Sequence, residues 1–500
     1  MRDGDDNQSK TGIWGLDDVL AGGFSRGGIF LLEGEPGSGK TTLALQFLRE
    51  GAAAGEKCLY ITLSETEAEL RAGAQSHGWQ LDSNIVVREL IPAESLIRGG
   101  QEQTLLYASD LELGEATKQI FEAVDAVKPR RLIIDSLSEI RLLAQSALRY
   151  RREILTIKHR FAQLSTTVLL LDDLTTDSID KTVHSIAHGV VQLQQLTPDY
   201  GAERRRLRVL KYRGRKYSGG YHDVSITQDG LNVFPRLIAA EHRTRFERTQ
   251  IPTGIKNFDA LVGGGVEVGS STLIIGPAGT GKSLIANSFA MSAIRRGEKA
   301  ALFIFDEELG LLFDRMQGLG IDLEGERDRG NLKIVQIDAA EVSPGEFAHR
   351  VRNIVDKEAI KTVIIDSLNG YQAAMPEEKF LVLHIHELLQ YLNRQGAATF
   401  LTMAQHGFIG HGMTAPVDVT YLADTVLFLR YFEAHGEVRR AISCIKKRTG
   451  PHESSIREYR IGEGGISVDE PLSGFQGVLT GVPIISARSN GNGIAAGKIQ

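Results

Sequence analysis

Residues 34–41 read GEPGSGKT, and residues 276–283 read GPAGTGKS. Both match the pattern GxxxxGK[ST], and each stretch lies between a β-rich apolar run, at 29–32 or 272–275, and a helical pattern. In such a loop the glycines let the backbone wrap closely around phosphate groups, and the backbone amides and the helix N-terminus attract negative charge. The two stretches therefore predict two phosphate-binding loops, or P-loops, in two nucleotide-binding domains.

Positions within the pattern assign roles to the loop residues. Lys40 and Lys282 are expected to reach the β- and γ-phosphates of a nucleotide. The hydroxyls of Thr41 and Ser283 are expected to bind Mg²⁺. The other predicted nucleotide-binding residues are Gly34, Gly37, Ser38, Gly39 and Thr42 in the first loop, and Gly276, Gly279, Thr280, Gly281 and Leu284 in the second.

The chain repeats itself. The stretch from Thr11 realigns without gaps on the stretch from Thr253, so that Lys282 lies 242 residues after Lys40. Because 500 residues exceed the roughly 250 to 300 that one core supports, we predict a duplicated domain. The predicted boundaries are an N-terminal tail at 1–10, a first domain at 11–238, a linker at 239–252, a second domain at 253–472 and a flexible C-terminal tail at 473–500.

Each copy alternates apolar runs with helical patterns. The runs at 58–63 and 300–305 follow the first predicted helices, and the runs LIID and VIID come later in each copy. Strands that alternate with helices form mostly parallel sheets covered by helices on both faces. The predicted fold class is therefore α/β, with two tandem P-loop NTPase domains.

Two aspartates end apolar runs. Asp135 closes LIID and Asp366 closes VIID, and each is followed by Ser-Leu. A carboxylate at the carboxyl end of a strand next to a P-loop can orient hydrated Mg²⁺. A turn aspartate without this role is the alternative interpretation.

Acidic residues also follow the second strand of each copy. Glu65, which follows Ser64, and the pair Asp306-Glu307 occupy matching positions and are the candidate catalytic residues, because a carboxylate there could hold the attacking water. A solvated loop residue is the alternative for each glutamate. With two carboxylates, copy two is expected to carry the larger share of turnover, and the pKa of Glu65 is expected to be the less perturbed.

Composition limits the classes of partner. The chain has 57 Lys and Arg against 63 Asp and Glu, and its net charge of −6 gives no global attraction to nucleic acid or to an anionic membrane. The basic cluster at 204–216 alternates with apolar residues and could be a strand with one charged face. No apolar run approaches the roughly 18 residues of a membrane span, so we expect a cytoplasmic protein.

The order of these features resembles the KaiC family of circadian-clock ATPases. Each copy opens with TGI…D…L.GG and continues with a P-loop, an acidic position and IIDS, while RVLKYRG at 208–214 and CIKKR at 444–448 occupy matching places. The resemblance implies tandem RecA-like domains that bind ATP with Mg²⁺, hydrolysis assisted by Glu65 and Glu307, and an ATP-dependent homo-hexameric ring. It also implies contacts to the nucleotide of the neighbouring subunit from Lys211, Arg213, Lys446 and Arg448.

The family's phosphorylation sites are only half kept. Where the family has an adjacent Ser/Thr pair, this chain has Thr420-Tyr421, so Thr420 is the candidate phosphosite of a serine/threonine autokinase. The leading hypothesis is an ATP-hydrolysing ring with a signalling or regulatory role and unidentified protein partners. A RecA-like nucleic-acid motor or recombination accessory protein, and a non-catalytic scaffold assembled by ATP, are the alternatives.

Overall fold

The computed structural model describes residues 7–90, 105–174, 182–197, 201–305, 307–373, 378–405, 420–480 and 484–485. The chain divides into two compact units, Met1–Arg236 and Leu237–Gln500. We refer to them as copy one and copy two. Both are α/β domains built around a nine-stranded sheet.

The described elements of copy one follow the predicted alternation of strands and helices. In chain order they are β1 (Gln8–Ser9), α1 (Trp14–Val19), β2 (Phe24–Ser25), β3 (Ile29–Gly34), α2 (Lys40–Ala53), β4 (Cys58–Thr62), α3 (Glu67–Ser76), β5 (Ile85–Glu89), α4 (Leu105–Val127), β6 (Arg131–Asp135), α5 (Leu137–Ala144), α6 (Ala147–Ala162), β7 (Thr167–Asp173), α7 (Thr182–Ile186), β8 (Gly189–Leu196), β9 (Arg204–Tyr212), β10 (His222–Thr227) and β11 (Gly230–Phe234).

The described elements of copy two follow nearly the same order, with an added short helix at 323–328, two added short strands after residue 474 and no described counterpart of α7. They are β12 (Gln250–Ile251), α8 (Lys256–Leu261), β13 (Val266–Glu267), β14 (Ser271–Gly276), α9 (Lys282–Arg295), β15 (Ala300–Ile304), α10 (Leu309–Gln317), α11 (Leu323–Asp328), β16 (Leu332–Gln336), α12 (Pro344–Glu358), β17 (Thr362–Asp366), α13 (Leu368–Ala373), α14 (Glu378–Arg394), β18 (Ala398–Ala404), β19 (Thr425–Ala434), β20 (Glu437–Lys447), β21 (Ile456–Gly462), β22 (Gly465–Pro471), β23 (Phe475–Gln476) and β24 (Ile484–Ile485).

The two large sheets share one topology. Their strand orders are β11-β10-β9-β8-β3-β7-β6-β4-β5 and β22-β21-β20-β19-β14-β18-β17-β15-β16. In each sheet six strands are parallel, and the other three are joined antiparallel at one edge. The P-loop strand lies inside the parallel part, between β7 and β8 or between β18 and β19. This confirms the predicted fold class.

Helices bury both faces of each sheet. In copy one, α2 and α3 pack on one face through residues such as Leu43 and Phe47, and α4, α5 and α6 pack on the other through residues such as Ile120 and Ile154. The strands between them are apolar on both faces, as parallel strands covered on both sides require. The packed faces hold the loops at the carboxyl ends of the strands in fixed positions.

The ends of copy two differ from the sequence-based boundaries. Ala239, in the predicted linker, is buried in a core cluster of copy two, and Gln250–Ile251 forms β12. Past residue 473, Phe475–Gln476 forms β23, and Val478 is buried against Phe432. Both segments are therefore part of the copy-two domain, because their few apolar residues pack against its core.

No helix within the described ranges has both the length and the apolar character that crossing a membrane requires.

Candidate nucleotide sites

Both P-loops connect a central strand to the helix that follows it. The first joins β3 to α2 and the second joins β14 to α9. Gly39 and Gly281 precede the helices with φ of 101° and 90°, a left-handed conformation that glycine adopts without steric cost. At Gly34 a Cβ would lie 2.7 Å from the carbonyl oxygen of Leu193, so the loop passes too close to β8 for any side chain.

The two P-loop lysines reach the same kind of backbone acceptor. Lys40 Nζ donates to the carbonyls of Gly34 at 2.9 Å and Glu35 at 3.0 Å. Lys282 Nζ donates to the carbonyls of Gly276 and Pro277, both at 2.9 Å. Burial lowers the pKa of Lys282, against the opposing charge of Asp366. Each ammonium group therefore lies next to the first two residues of its own loop.

The remaining loop residues divide between the cleft and the core. Thr41 and Thr42 line an open cleft beside α2. Ser38 and Thr280 are fully buried at the base of their loops. Leu284 packs in a hydrophobic cluster of copy two, so a contact to nucleotide can come only from its backbone.

The remaining predicted loop residues shape the loops through their backbone conformation. Gly37 and Gly279 have φ of 79° and 76°, and Gly276 approaches the carbonyl of Leu429 as Gly34 approaches that of Leu193. Ser283 is partly buried in the first turn of α9, with its hydroxyl at the position of Thr41. The two loops thus match in conformation as well as in sequence.

Asp135 lies at the carboxyl end of β6 and is only 7% exposed. The hydroxyl of Tyr60 on β4 donates to its carboxylate at 2.5 Å. Burial raises the pKa of Asp135 to about 6, with further raising by Glu65 and Asp173 and opposition from the Tyr60 hydrogen bond and Lys40. A nearby cation would favour the ionised carboxylate.

Asp366 has the same position at the end of β17 but another partner. Thr402 on β18 donates its hydroxyl to Asp366 at 2.5 Å. Both copies therefore keep the strand-end aspartate, but its hydrogen bond comes from the strand on one side in copy one and from the strand on the other side in copy two. Leu302 of β15, which cannot donate a hydrogen bond, occupies the position of Tyr60.

Glu65 follows β4 and faces an open cleft of about 510 Å³. The cleft is lined by Thr41, Thr42, Leu45, Ser64, Glu65, Glu69, Leu70, Gly73, Ser76 and His77. Partial desolvation, then the negative charges of Glu69 and Asp173, raises the pKa of Glu65. The pKa of Glu65 was expected to be the more nearly unperturbed one, but burial first, and then the carboxylates of Glu69 and Asp173, raise it.

Glu307 has a different environment. Arg315 on α10 binds its carboxylate with both guanidinium branches, at 2.5 and 2.9 Å. Arg315 occupies the position of Gly73 in copy one, where a Cβ would meet no atom within 4 Å. Asp306 lies outside the described residues.

The cationic residues predicted to contact a neighbouring subunit lie far from the P-loop of their own copy. Lys211 pairs with Val190 on β8, whereas the P-loop strand residue Gly34 pairs with Leu193. Three strand residues span about 10 Å. Lys211 Nζ is directed to the end of α7, where it donates to the carbonyl of Ala187 at 2.9 Å.

The other three predicted trans contacts lie at the matching end of the sheet in their own copy, Arg213 in copy one and Lys446 and Arg448 in copy two. Arg213 donates to the carbonyl of Ser185. In copy two, Lys446 donates to the carbonyls of Thr420 at 2.9 Å and Ala423 at 2.8 Å, and Arg448 pairs with Asp424 at 3.4 Å. Thr420 therefore lies beside the predicted trans contacts and away from the P-loop of its own copy.

Sequence reasoning missed three charged or polar neighbours of the site: Asp173, Tyr60 and Arg315. Asp173 ends β7, directly beside the P-loop strand, and forms an ion pair with Lys40 at 2.7 Å. The position of Asp173 could have been predicted from the sequence, because Asp172-Asp173 ends an apolar run as Asp135 does. Tyr60 and Arg315 carry no such signal, since their roles depend on cross-strand and helix-to-loop contacts.

The oxygen donors of these sites fit Mg²⁺. A hydroxyl and a strand-end carboxylate stand next to a phosphate-binding loop in each copy, and Mg²⁺ is usually bound by one or two carboxylates together with substrate phosphates. In the described part of the chain, no group of three or more His, Cys, Asp or Glu side chains could hold a metal ion by itself. Thr41 with Asp135, and Ser283 with Asp366, would hold the ion, which would neutralise phosphate charge.

Two tandem RecA-like P-loop domains are thus defined by the sheets and the loops at their carboxyl ends. The model of the ATPase family KaiC matches residues 9–238 and 251–473. The chain belongs to this family.

Curated relatives cover nearly the whole chain. The circadian clock oscillator protein KaiC of Acaryochloris marina is 28% identical, over 95% of this chain and 90% of its own length. That of Picosynechococcus sp. is 29% identical, over 95% and 92%. The circadian clock oscillator protein KaiC 1 of Synechocystis sp. is 28% identical, over 95% and 91%.

Proposed function

We propose that each copy binds ATP with Mg²⁺ and that the chain hydrolyses ATP as part of a regulatory cycle. The observation that carries this proposal is the matched arrangement of the two loops, in which the lysine, the hydroxyl of the first helical turn and the strand-end aspartate lie at the carboxyl edge of the same sheet in both copies. The glutamates after β4 and β15 supply a candidate base for the attacking water at each loop.

The proposal includes a homo-hexameric ring held together by ATP at subunit boundaries. Lys211, Arg213, Lys446 and Arg448 support it, because strand register places Lys211 and Lys446 away from the P-loop of their own copy, so that a contact to phosphate would come across a subunit boundary. Binding of ATP across a boundary would favour assembly by mass action.

Autophosphorylation of Thr420 is the second candidate activity. Its carbonyl accepts a hydrogen bond from Lys446, one of the proposed trans contacts, so a phosphoryl group would come from the neighbouring subunit's ATP. The hydroxyl oxygen of Thr420 would attack the γ-phosphorus, the bond to the β,γ-bridging oxygen would break, ADP would leave, and the hydroxyl proton would pass to Glu307 of the neighbouring subunit or to water.

The test compares wild type with Lys40→Ala, Lys282→Ala and the double variant. In equilibrium dialysis wild type should show two ATP sites of full affinity per chain, each single variant one, and the double variant none. Each substitution should weaken its own site by about 10-fold to 100-fold, because a charge-assisted contact contributes about 1.5 to 3 kcal/mol. A single site in wild type would refute the two-site proposal.

The same proteins test the cycle and the ring. Release of phosphate by wild type and its absence in the double variant are expected, while binding without release would favour the non-catalytic scaffold. Native mass measurement should give six chains with ATP and fewer without it. Label from γ-labelled ATP should appear on the wild-type protein and be absent from Thr420→Ala, and label that stays would exclude Thr420.

A further inference from the structure

Asp173 places a carboxylate beside the P-loop lysine of copy one. It is the last residue of β7 and pairs in register with Gly34, the first residue of the loop. Its carboxylate lies 2.7 Å from Lys40 Nζ. The Lys40 side chain is 8% exposed and that of Asp173 is 32%, so the pair is held at the inner edge of the site.

Other carboxylates converge on the same place. The charge of Asp173 contributes to the raised pKa of both Asp135 and Glu65, which shows that the three groups interact electrostatically. The hydroxyl of Ser138 donates to the second oxygen of Asp173 at 3.4 Å, which is a long contact. Lys40 is therefore surrounded by more negative charge than it can neutralise alone.

Copy two provides the matched comparison. Ala404 occupies the position of Asp173, in register with Gly276. Lys282 makes the two loop-carbonyl hydrogen bonds that Lys40 makes, and among the described residues no carboxylate lies within ion-pair distance of it. Among the described residues, the two lysine environments thus differ by the carboxylate of Asp173.

We propose that Asp173 makes nucleotide binding at copy one depend on a divalent cation more strongly than binding at copy two. A triphosphate that takes Lys40 as its partner separates it from Asp173. The carboxylate then faces the phosphates with its charge unpaired, and like charges at this distance repel unless a cation lies between them. The inference rests on the proposed binding of ATP at both loops.

The experiment uses full-length single-site proteins, with Lys282→Ala leaving copy one and Lys40→Ala leaving copy two. The probe is β,γ-imido-ATP, titrated calorimetrically with excess Mg²⁺ and again with excess EDTA. The measured quantity is the ratio of the metal-free to the Mg²⁺ dissociation constant. Removal of Mg²⁺ adds the same charge to the probe in both proteins, so copy two corrects for that effect.

The ratio should be about 10-fold to 100-fold larger for copy one than for copy two, the range that one charge-assisted contact produces. Asp173→Asn, which keeps the size of the side chain, should bring the ratio of copy one down to that of copy two. Ala404→Asp should raise the ratio of copy two, which tests the idea by gain of the same feature.

Equal ratios in the two single-site proteins would overturn the role of Asp173 while leaving the proposed function intact. The same conclusion would follow if Asp173→Asn changed affinity equally with and without Mg²⁺. Failure of both single-site proteins to bind the probe in Mg²⁺ would instead overturn the proposed ATP binding, and this inference with it.

Discussion

In copy one the P-loop lysine pairs with a carboxylate and the candidate catalytic glutamate faces an open cleft, whereas in copy two an arginine binds the glutamate and the lysine contacts backbone carbonyls. The two sites share a fold, a loop conformation and a strand register. The difference shows that two P-loop domains can share the loop lysine, the strand-end aspartate and the glutamate and still surround them with different partners. If ATP binds as proposed, it must separate Lys40 from Asp173 in copy one, and hydrolysis in copy two must first free Glu307 from Arg315.

This comparison reverses the expectation from the acidic pair. The sequence suggested that Glu307 would be the stronger base because Asp306 precedes it. Arg315 instead holds the carboxylate of Glu307 in a bidentate pair, whereas burial, and then the charges of Glu69 and Asp173, raise the pKa of Glu65, which makes it a stronger base when ionised than an ordinary glutamate. Copy one is therefore the site that we expect to hydrolyse ATP faster.

The largest expected effect is on turnover. Glu65→Gln should lower phosphate release at copy one by about 10² to 10⁴, because a positioned base typically contributes that much, and it should remove more of the total turnover than Glu307→Gln. Steady-state phosphate release from the two variants, each also measured in the matching single-site protein, decides the matter. A greater loss of turnover from Glu307→Gln would contradict the expectation that copy one hydrolyses ATP faster.

The second prediction exchanges the residue that distinguishes the two glutamates. Arg315→Ala should raise turnover at copy two by about twofold to fivefold, the range for one exposed ion pair, with little change in KM. Gly73→Arg in copy one should lower turnover by a similar factor, since the helix position is open and arginine favours helix more than glycine does.

The control for this exchange is Arg315→Ala in a Glu307→Gln protein, where the rise should be absent because no carboxylate is left to release. Arg315→Lys should fall between wild type and Arg315→Ala, since lysine keeps the charge and loses the two-pronged geometry. A fall in turnover on Arg315→Ala would mean that the arginine assists the reaction.

The contrast also separates what sequence can and cannot predict. The repeat, the P-loop pattern and the strand-end aspartates predicted the fold. They also predicted that Lys40 and Asp135 lie at one edge of the sheet, because each of these patterns is contained in a short stretch of sequence. Asp173 was within reach of the same reasoning, since it ends an apolar run. The pairing of Arg315 with Glu307 depends on how a helix lies over a loop, and the Tyr60 contact depends on strand order, so neither can be inferred from spacing.

The smallest expected effect concerns the hydroxyl that supports Asp135. Its pKa is raised to about 6 by burial, and the hydrogen bond from Tyr60 opposes that rise by stabilising the carboxylate. Tyr60→Phe should therefore raise the pKa further. Because Mg²⁺ requires the ionised form, Mg²⁺-dependent ATP binding at copy one falls as pH falls through this pKa, and in the variant the fall should begin at higher pH.

The midpoint should move upward by about half a pH unit, which corresponds to the lower end of the net contribution of a hydrogen bond. Dissociation constants measured from pH 5 to pH 8 in the Lys282→Ala protein, with and without Tyr60→Phe, report the midpoint. The two curves should converge at pH 8, where Asp135 is ionised in both, and differ by about twofold near pH 6 and about threefold near pH 5. In the Lys40→Ala protein Tyr60→Phe should change nothing, because Asp366 takes its hydrogen bond from Thr402. An unmoved midpoint at copy one would show that water replaces the hydroxyl, and the two strand-end aspartates would then be equivalent in spite of their different partners.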